Sequence, residues 1–347
     1  MNLKNYFILF FIVSMFYSCG TRQKKRYSIE IEHFHLQINN NLRGLSVVDK
    51  NIVWASGTNG TFLLTTDGGK TWKTDTVADA GMLDFRSIYA FDGENAIIVS
   101  AGAPARVYKT NDGGNFWTMT FFSNDPAIFL DAVAFWDEEH GLVMGDPFEG
   151  KLFLLKTNDG GVSWAKISAD SIPAGMISEG GFAASGTCMV TKGDDKAWIG
   201  VGSDSARVYQ TDNQGRCWEV YQTPILCGSE MKGIYSLSFK NGLQGIAVGG
   251  EWNVKHPAQS KAFTIDGGQT WALGKGVGSY CSGSCFVKED IFLACGQSGI
   301  DISTDGGRNW ENINDLHLYG IKFDETGSVG YATGPGGRIV KLWLVEK

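Results

Sequence analysis

Short apolar segments that begin or end in glycine recur seven times along the chain, and polar turns separate them. Valine, isoleucine and aromatic residues dominate these segments, which is typical of buried β-strands. Beyond the N-terminus, no stretch shows the sustained period of an amphipathic helix. The segments are IVWASG ending at Gly57, AIIVSAG at Gly102, GLVMG at Gly145, AWIGVG at Gly202, GIAVGG starting at Gly245, IFLACG ending at Gly296 and GYATG at Gly334.

A further apolar segment precedes and another follows each of these seven, which predicts seven groups of three consecutive strands. The preceding segments are LRGLSVV, FRSIYAF, FLDAVAF, GFAASGTCMV (Gly181 to Val190), KGIYSLSF, GSCFV and YGIKF. The following segments are TFLLT, RVYKT, KLFLLKT, ARVYQT, KAFTI, IDIST and GRIVKLWL.

Six copies of one polar turn follow these third strands, each with Thr or Ser, then Asp or Asn, then glycine and finally tryptophan. This turn is the Asp-box, or BNR, repeat. The copies run from Thr65 to Trp72, Thr110 to Trp117, Thr157 to Trp164, Thr211 to Trp218, Thr264 to Trp271 and Ser303 to Trp310. The structural acceptors are Asp67, Asp112, Asp159, Asn213, Asp266 and Asp305.

The residue types of the box predict a structural turn. The Asp or Asn side chain accepts backbone N–H groups just ahead of it, and the glycines allow positive φ. The tryptophan is expected to fold back as a staple between two strands of one sheet. A calcium loop needs several carboxylates at alternate positions, whereas each box offers one, so we predict no metal there.

The spacing of the boxes predicts the fold. Their tryptophans recur at about 40–50 residues, which is the period of a four-stranded propeller blade. The predicted fold is therefore all-β: a seven-bladed β-propeller with four-stranded antiparallel blades, each box lying between the third and fourth strands. The seventh group has no box and no fourth strand, because the sequence ends at Lys347.

An N-terminal strand is predicted to close the ring. The segment Ser28 to Ile38 alternates apolar and polar residues before blade one, and an unpaired sheet edge invites aggregation. We therefore expect it to be the outer strand of blade seven, with His33 and His35 as strand-face residues rather than ligands.

The first residues predict export. Residues 1–19 combine Lys4, an apolar run and small residues, which is the pattern of a signal peptide. Ser18-Cys19-Gly20 resembles the end of a bacterial lipobox, in which Cys19 is lipidated; a simple cleaved signal is the alternative. Residues 20–27 are then a tether and residues 28–347 a single propeller. The expected location is periplasmic or on the outer membrane, with contact to the membrane through the lipid.

Cysteine usage and charge narrow the expected chemistry. An exported compartment permits disulfides, but buried free thiols fit equally well; the six cysteines concerned are Cys188, Cys217, Cys227, Cys281, Cys285 and Cys295. No Cys-x-x-Cys pair or histidine cluster indicates zinc, so no metal and no cofactor is expected. The net charge of −7 excludes a general nucleic-acid binder.

The face opposite the boxes is the expected binding face, because the loops entering each blade and joining its second and third strands lie there. A cluster of arginines could bind carboxylates or acidic peptides, or each arginine could pair with a neighbouring acid. Trp252, on the longest such loop, is an exposed anchor or a cover on the blade edge. The binding candidates are Arg43, Arg86, Arg106, Arg207, Trp252 and Arg338.

These strands and boxes resemble the photosystem II stability/assembly factor propellers. The closest stretch runs from Phe85 to Trp117, with Leu42 to Trp72 next, and the resemblance covers about residues 30–345. It implies an exported seven-bladed assembly chaperone in which an arginine patch contributes to partner binding, here as a non-photosynthetic bacterial lipoprotein. Arg43 and Arg86 match the first-strand arginine of that family. The corresponding positions in blades three to seven hold Leu130, Ala183, Gly233, Ser282 and Gly320.

Sialidases and related glycosidases also carry Asp-boxes. Their Phe-Arg-Ile-Pro opening is absent here, because Ser87-Ile88 follows Phe85-Arg86. A xyloglucanase-like site needs two carboxylates across a cleft, and a carbohydrate ligand is the corresponding alternative to a protein or peptide partner. The catalytic candidates for that alternative are Asp84, Asp131, Asp146 and Glu251. The favoured prediction is a non-enzymatic binding or assembly factor.

Overall fold

The computed structural model describes residues 25–176 and 178–347, which form seven sheets. Neighbouring strands pair antiparallel, except that the two-residue strand Lys275–Gly276 adds a fifth, parallel strand at the edge of one sheet. The innermost strand of each sheet contacts the innermost strands of the sheets on either side, and the seventh contacts the first. The sheets therefore form a closed ring of seven blades, as predicted. The predicted lipidation site Cys19 lies outside the described residues.

The strands are numbered along the chain. Before blade one lies β1 (Tyr27–Phe34). Blade one has β2 (Leu42–Val47), β3 (Val53–Gly57), β4 (Thr61–Thr65) and β5 (Lys73–Thr76). Blade two has β6 (Asp84–Ala90), β7 (Asn95–Ala101), β8 (Ala105–Asn111) and β9 (Thr118–Ser123). Blade three has β10 (Leu130–Phe135), β11 (Gly141–Phe148), β12 (Lys151–Thr157) and β13 (Ala165–Lys166).

The second half of the ring repeats this order. A short 3-10 helix, Ala169–Ser171, precedes blade four. Blade four has β14 (Met189–Lys192), β15 (Lys196–Gly200), β16 (Arg207–Thr211) and β17 (Glu219–Gln222). Blade five has β18 (Lys232–Phe239), β19 (Gly245–Glu251), β20 (Lys261–Thr264) and β21 (Ala272–Leu273). Blade six has β22 (Lys275–Gly276), β23 (Gly283–Lys288), β24 (Ile291–Gly296), β25 (Gly299–Ser303) and β26 (Asn309–Asn314). Blade seven has β27 (Gly320–Phe323), β28 (Gly330–Thr333) and β29 (Ile339–Glu346).

The predicted closure by the N-terminal strand is confirmed. Strand β1 pairs antiparallel with β29 along its whole length, from Tyr27 opposite Glu346 to Phe34 opposite Ile339. The strand ends four residues before the predicted Ile38, where the chain turns to enter blade one. His33 is exposed on the strand and His35 is exposed just after it.

The predicted first strand of blade four is wrong in its position. Residues 181–188 are not in a strand, and β14 begins only at Met189. Apart from Phe182 the segment is built of small residues, and Thr187 is its one β-branched residue. Gly186 has a φ of +70°, so the segment favours neither the side chains nor the extended backbone of a strand. We call residues 180–187 the channel segment.

The channel segment crosses the centre of the ring. The carbonyl of Ala184 accepts a hydrogen bond from Arg43 of blade one at 3.3 Å. The hydroxyl of Ser185 donates to the carbonyl of Ser282 of blade six at 2.7 Å. The carbonyl of Thr187 accepts from the Leu237 N–H of blade five at 2.9 Å. Contacts with several blades show that the segment occupies the axial channel.

The six boxes adopt the predicted turn. In the first box, Asp67 Oδ1 accepts from the Thr71 N–H and from the Thr65 hydroxyl, both at 2.9 Å, and the Thr65 hydroxyl accepts from the Gly69 N–H at 2.9 Å. The Thr71 hydroxyl and N–H lower the pKa of Asp67 to about 2. In the fourth box, Asn213 Oδ1 accepts from the corresponding N–H at 3.0 Å.

The box tryptophans do more than staple two strands of one sheet, which corrects the sequence prediction. The ring of Trp117 lies 6.1 Å from Trp54 and 5.3 Å from Phe62, both in the preceding blade. The ring of Trp72 lies 6.5 Å from Tyr331 of blade seven. The boxes therefore help to hold neighbouring blades together.

Polar bonds reinforce the same junctions. In five of the boxes, a turn carbonyl accepts a side-chain N–H from the preceding blade at 2.6–3.0 Å. The pairs are Lys341 with Gly68, Lys73 with Gly113, Lys109 with Gly160, Lys156 with Gln214 and Trp198 with Gly267.

The six cysteines of the described residues carry free thiols, so the free-thiol interpretation holds. Four of them are buried, while Cys217 is exposed and Cys227 is intermediate. Among the residues that the structure describes, no helix is long and apolar enough to span a bilayer.

Removal of β1 tests the ring closure. A chain that begins at residue 36 loses the partner of β29, so we expect its melting temperature to fall by at least about 10 °C relative to a chain that begins at residue 25. Differential scanning calorimetry of the two proteins measures the shift. Equal melting temperatures would contradict the closure.

Substitution in the third box tests the role of the acceptor. Asp159 Oδ1 accepts from the Ser163 N–H at 3.0 Å and from the Thr157 hydroxyl at 2.7 Å. Asp159→Ala removes both bonds, and we expect a loss of about 1 kcal/mol, as for a lost helix cap. Asp159→Asn keeps the acceptor, as Asn213 does in the fourth box, so its cost should be much smaller. Urea unfolding measures both; equal losses would contradict the assigned role.

Candidate functional site

A cavity of about 370 Å³ opens on the face opposite the boxes, above the channel segment. Inner strands of blades one, two and five and the channel segment all contribute to its walls. Its lining residues are Arg43, Arg86, Phe182, Ala183, Ala184, Glu230, Met231, Tyr235, Trp252, Tyr280, Ser282, Gln297, His317 and Tyr319.

Arg43 projects from β2 into this cavity. Its guanidinium carbon lies 4.2 Å from the centre of the Tyr319 ring, and Nη1 donates to the carbonyl of Ala184 at 3.3 Å. Arg43 forms no salt bridge with any described residue. Burial and the nearby charge of Arg86 lower its pKa. Arg43 therefore has guanidinium donors left for an anionic ligand.

Arg86 is the second cation of the cavity. Its Nε donates to Asp84 Oδ2 at 2.6 Å, and the arginine side chain is 34% exposed. One carboxylate thus faces two neighbouring guanidinium groups. An incoming carboxylate would reduce the repulsion between these groups and could form charge-assisted hydrogen bonds with them.

Aromatic rings form the walls. Phe182 of the channel segment stacks on Tyr235 with the ring centres 3.9 Å apart, and Tyr280 meets Tyr235 edge-on at 4.9 Å. Trp252 lies at the rim with 49% of its surface exposed. Its backbone carbonyl accepts from Gln297 Nε2 at 2.9 Å. Aromatic side chains therefore form much of the wall, and the charged lining residues are Arg43, Arg86 and Glu230.

Three of the predicted arginines do not join Arg43 and Arg86 in this cavity. Arg207 Nε donates to Glu179 Oε1 at 2.7 Å, and the Glu179 side chain is fully buried. Arg106 donates to the Tyr108 hydroxyl at 2.9 Å. Arg338 donates to the carbonyl of His317 at 2.6 Å, behind the cavity wall. The convergence predicted for five arginines is thus found for two, because the others have local partners.

The four candidate carboxylates do not form a hydrolytic pair across the cavity. Asp84 is bonded to Arg86, and Glu251 lies 3.6 Å from Lys232 Nζ. Asp131 and Asp146 sit in one blade beneath the channel segment, and Asp131 is only 1% exposed. None is placed as an accessible acid opposite an accessible base.

Several lining residues escaped the sequence prediction. The apolar pattern predicts a strand over residues 181–190, which include Phe182 and Ala184, and it places Tyr235 in the first strand of blade five. The available signal was the run of Gly, Ala and Ser in residues 180–187, which is poor in strand-forming residues. In the described part of the chain, no group of three or more metal-ligating side chains is placed to hold a metal ion.

Part of the sequence matches a family of assembly factors. The family model for the photosynthesis system II assembly factor YCF48 matches residues 23–125. A curated relative, the photosystem II assembly lipoprotein Ycf48 of Synechococcus sp. (strain CC9605), is 41% identical over 51 residues. This match spans 15% of the chain and 15% of that relative.

Solved structures extend the likeness to most of the ring. A structure of YCF48 bound to a D1 peptide superimposes with a TM-score of 0.63 at 18% identity, covering 90% of this chain and 96% of that one. YCF48 from Cyanidioschyzon merolae gives 0.63 at 17% identity, covering 90% and 98%. A GH74 xyloglucanase from Xanthomonas campestris gives 0.61 at 13% identity, covering 89% of this chain and 53% of that one. The chain is thus a seven-bladed propeller similar to the photosystem II assembly factors, which confirms the resemblance.

Substitution of Arg207 tests whether this arginine stabilises the fold through its ion pair, whereas Arg43 in the cavity does not. Arg207→Gln leaves the buried Glu179 without its cation, so we expect a loss of about 3 kcal/mol in the free energy of unfolding. Arg43→Gln removes no ion pair and should cost about 1 kcal/mol or less. Urea unfolding of both variants measures the difference, and the double variant Arg207→Gln with Glu179→Gln should recover part of the loss. Equal costs for the two single variants would contradict this distinction.

Proposed function

We propose that this protein is a non-enzymatic binding or assembly factor that holds a peptide segment of a protein partner on the face opposite the boxes. The observation that carries the proposal is the pair Arg43 and Arg86, which share one cavity with a single directly bonded carboxylate, Asp84. The ligand group that fits this site is a carboxylate next to an apolar or aromatic side chain.

The shape of the cavity favours a peptide. A volume of about 370 Å³ lies at the lower end of the range for ligand pockets, so it accepts a short stretch of chain. Met231 and Trp252, which are 37% and 49% exposed, extend an apolar surface at the rim. The remainder of a bound segment would lie on these side chains, since exposed aromatic residues on a rigid scaffold often anchor partners.

Two comparisons support this proposal. One structural neighbour is described as YCF48 bound to a D1 peptide, and one sequence relative as a photosystem II assembly lipoprotein. By analogy, we infer that the present chain is exported and anchored through a lipid on Cys19, with residues 1–19 as its signal peptide. No observation on the candidate carboxylates favours glycoside hydrolysis, and the xyloglucanase likeness concerns the fold alone.

Peptide titration tests the proposal. The probes are fluorescein-labelled peptide pools that are identical except for one central Glu, Gln or Lys, titrated by fluorescence polarisation. We expect the Glu pool to bind most tightly. Arg43→Gln should weaken that binding by roughly tenfold or more, because a charge-assisted bond contributes about 1.5–3 kcal/mol.

The matched control is Arg216→Gln, which removes the same charge from an exposed position in the fourth box. Its affinity should equal that of the unsubstituted protein, and Trp252→Ala should weaken binding of all three pools. Equal binding of the Glu and Lys pools, or equal losses in the Arg43 and Arg216 variants, would contradict the assigned site.

A further inference from the structure

Two buried carboxyl groups lie directly beneath the channel segment. Asp131, in β10, is 1% exposed, and its carboxyl oxygens form no well-aligned hydrogen bond with any described residue, the Ala183 N–H being the backbone donor that faces them. Asp146, in β11, accepts a hydrogen bond from the Gly181 N–H at 2.9 Å. A buried carboxylate without a partner is costly in its charged form, so the pair requires an explanation.

Glycines bring the channel segment onto both carboxyl groups. A Cβ atom on Gly180 would lie 2.7 Å from Asp146 Oδ1, and one on Gly181 would lie 2.9 Å from the carboxyl carbon of Asp131. Both distances are shorter than real Cβ contacts, so a side chain at either position would displace the acids or the segment. The next residues, Phe182 and Ala184, line the binding cavity. The two acids therefore support the part of the chain that forms the cavity floor.

The surroundings of the pair favour its protonated form. Burial, and then the charge of Asp146, raise the pKa of Asp131, and they outweigh Arg86 and the Ala183 N–H, which act in the other direction. Burial raises the pKa of Asp146 to about 6. The other titratable group facing the pair is the Cys188 thiol, whose pKa burial also raises. Among the described residues, the cation that acts on Asp131 is Arg86, which already bonds Asp84.

We propose that Asp131 and Asp146 act as positioning residues that make the channel segment sensitive to pH. With a proton on the pair, the segment stays in the channel and Phe182 and Ala184 complete the cavity. When Asp146 loses its proton to water, a negative charge with only the Gly181 N–H as its donor lies buried beneath the segment, and the segment separates from the pair more often, because water solvates this charge in the open state. The predicted effect on ligand affinity rests on the proposed function. The predicted movement of the channel segment does not depend on it.

The direction of the pH effect follows from the raised pKa values. Groups whose pKa is higher in the closed state stabilise that state at low pH, and this stabilisation is lost as the pH rises through the closed-state pKa. With a pKa of about 6 for Asp146 and about 4 in an open, hydrated state, the opening constant rises about tenfold between pH 5 and pH 8. Titration of Asp131 would add to this change.

Hydrogen exchange detected by mass spectrometry, carried out on the protein that spans residues 25–347, tests the proposal. Protection factors for residues 180–188, corrected for the intrinsic pH dependence of exchange, should fall at least about tenfold from pH 5 to pH 8. In the double variant Asp131→Asn with Asp146→Asn, they should change by less than about threefold over the same range, since no carboxyl remains to titrate.

The matched control is Glu138→Gln, which neutralises an exposed acid on the turn between β10 and β11 of the same blade. This control should retain the full pH dependence. Flat protection in the unsubstituted protein overturns the proposal without any variant, so the test stands even if the double variant does not fold. An unchanged pH dependence in a folded double variant also overturns it.

Affinity measurements separate this inference from the proposed function. If the Glu peptide pool binds, its affinity should fall from pH 5 to pH 8 in the unsubstituted protein and in Glu138→Gln, but not in the double variant. If no pool binds while the protection factors still fall with pH, the proposed function fails and the assignment of the acid pair stands. A pH-independent affinity combined with flat protection contradicts the assignment.

Discussion

The space at the centre of the ring is the constraint on which the rest of this structure depends. Protein interiors are close-packed, and polar groups that face a buried space need partners. Here the channel segment supplies both packing and hydrogen bonds, since Ser185 bonds Ser282 and Thr187 bonds Leu237. Because the channel segment fills the axial channel, the cavity above it is closed at its lower end and does not continue through the ring. The cavity, in which Arg43 has no ion-pair partner among the described residues and Arg86 bonds Asp84, lies above this segment, and the two buried acids lie below it.

The repeated and the unique parts of the chain have separate roles. The boxes and their tryptophans recur from blade to blade, and the lysine bonds to box carbonyls join neighbouring blades. These contacts between blades are regular, whereas the channel segment at the centre of the ring is irregular. The candidate site lies where the repeat fails: residues 180–187 of blade four replace a strand, and Arg43 and Arg86 occur in only two of the blades. Function on a repeat scaffold is expected at such departures.

Sequence reasoning recovers what is periodic and misses what is unique. The seven blades, the box turns and the pairing of β1 with β29 follow from local patterns, and all are confirmed. The additional contacts of the box tryptophans with a neighbouring blade cannot be predicted from the motif, because a local motif does not show which sheet a side chain will reach. The sequence leaves open whether Arg207 binds a ligand or pairs with an acid. The structure pairs it with Glu179, a contact that depends on how two separate segments meet in the fold. The pattern predicts a strand over the channel segment, since its apolar residues outweigh its scarcity of β-branched ones.

The central claim is that the partner binds on the face opposite the boxes. Site-specific photocrosslinking tests it most directly, because blade five exposes an apolar residue on each face: Trp252, which is 49% exposed, and Leu243, which is 58% exposed on the turn between β18 and β19. A benzoylphenylalanine at position 252 is predicted to crosslink to a protein partner in the native host, and one at position 243 is predicted not to do so. Crosslinking from position 243 alone would contradict the account.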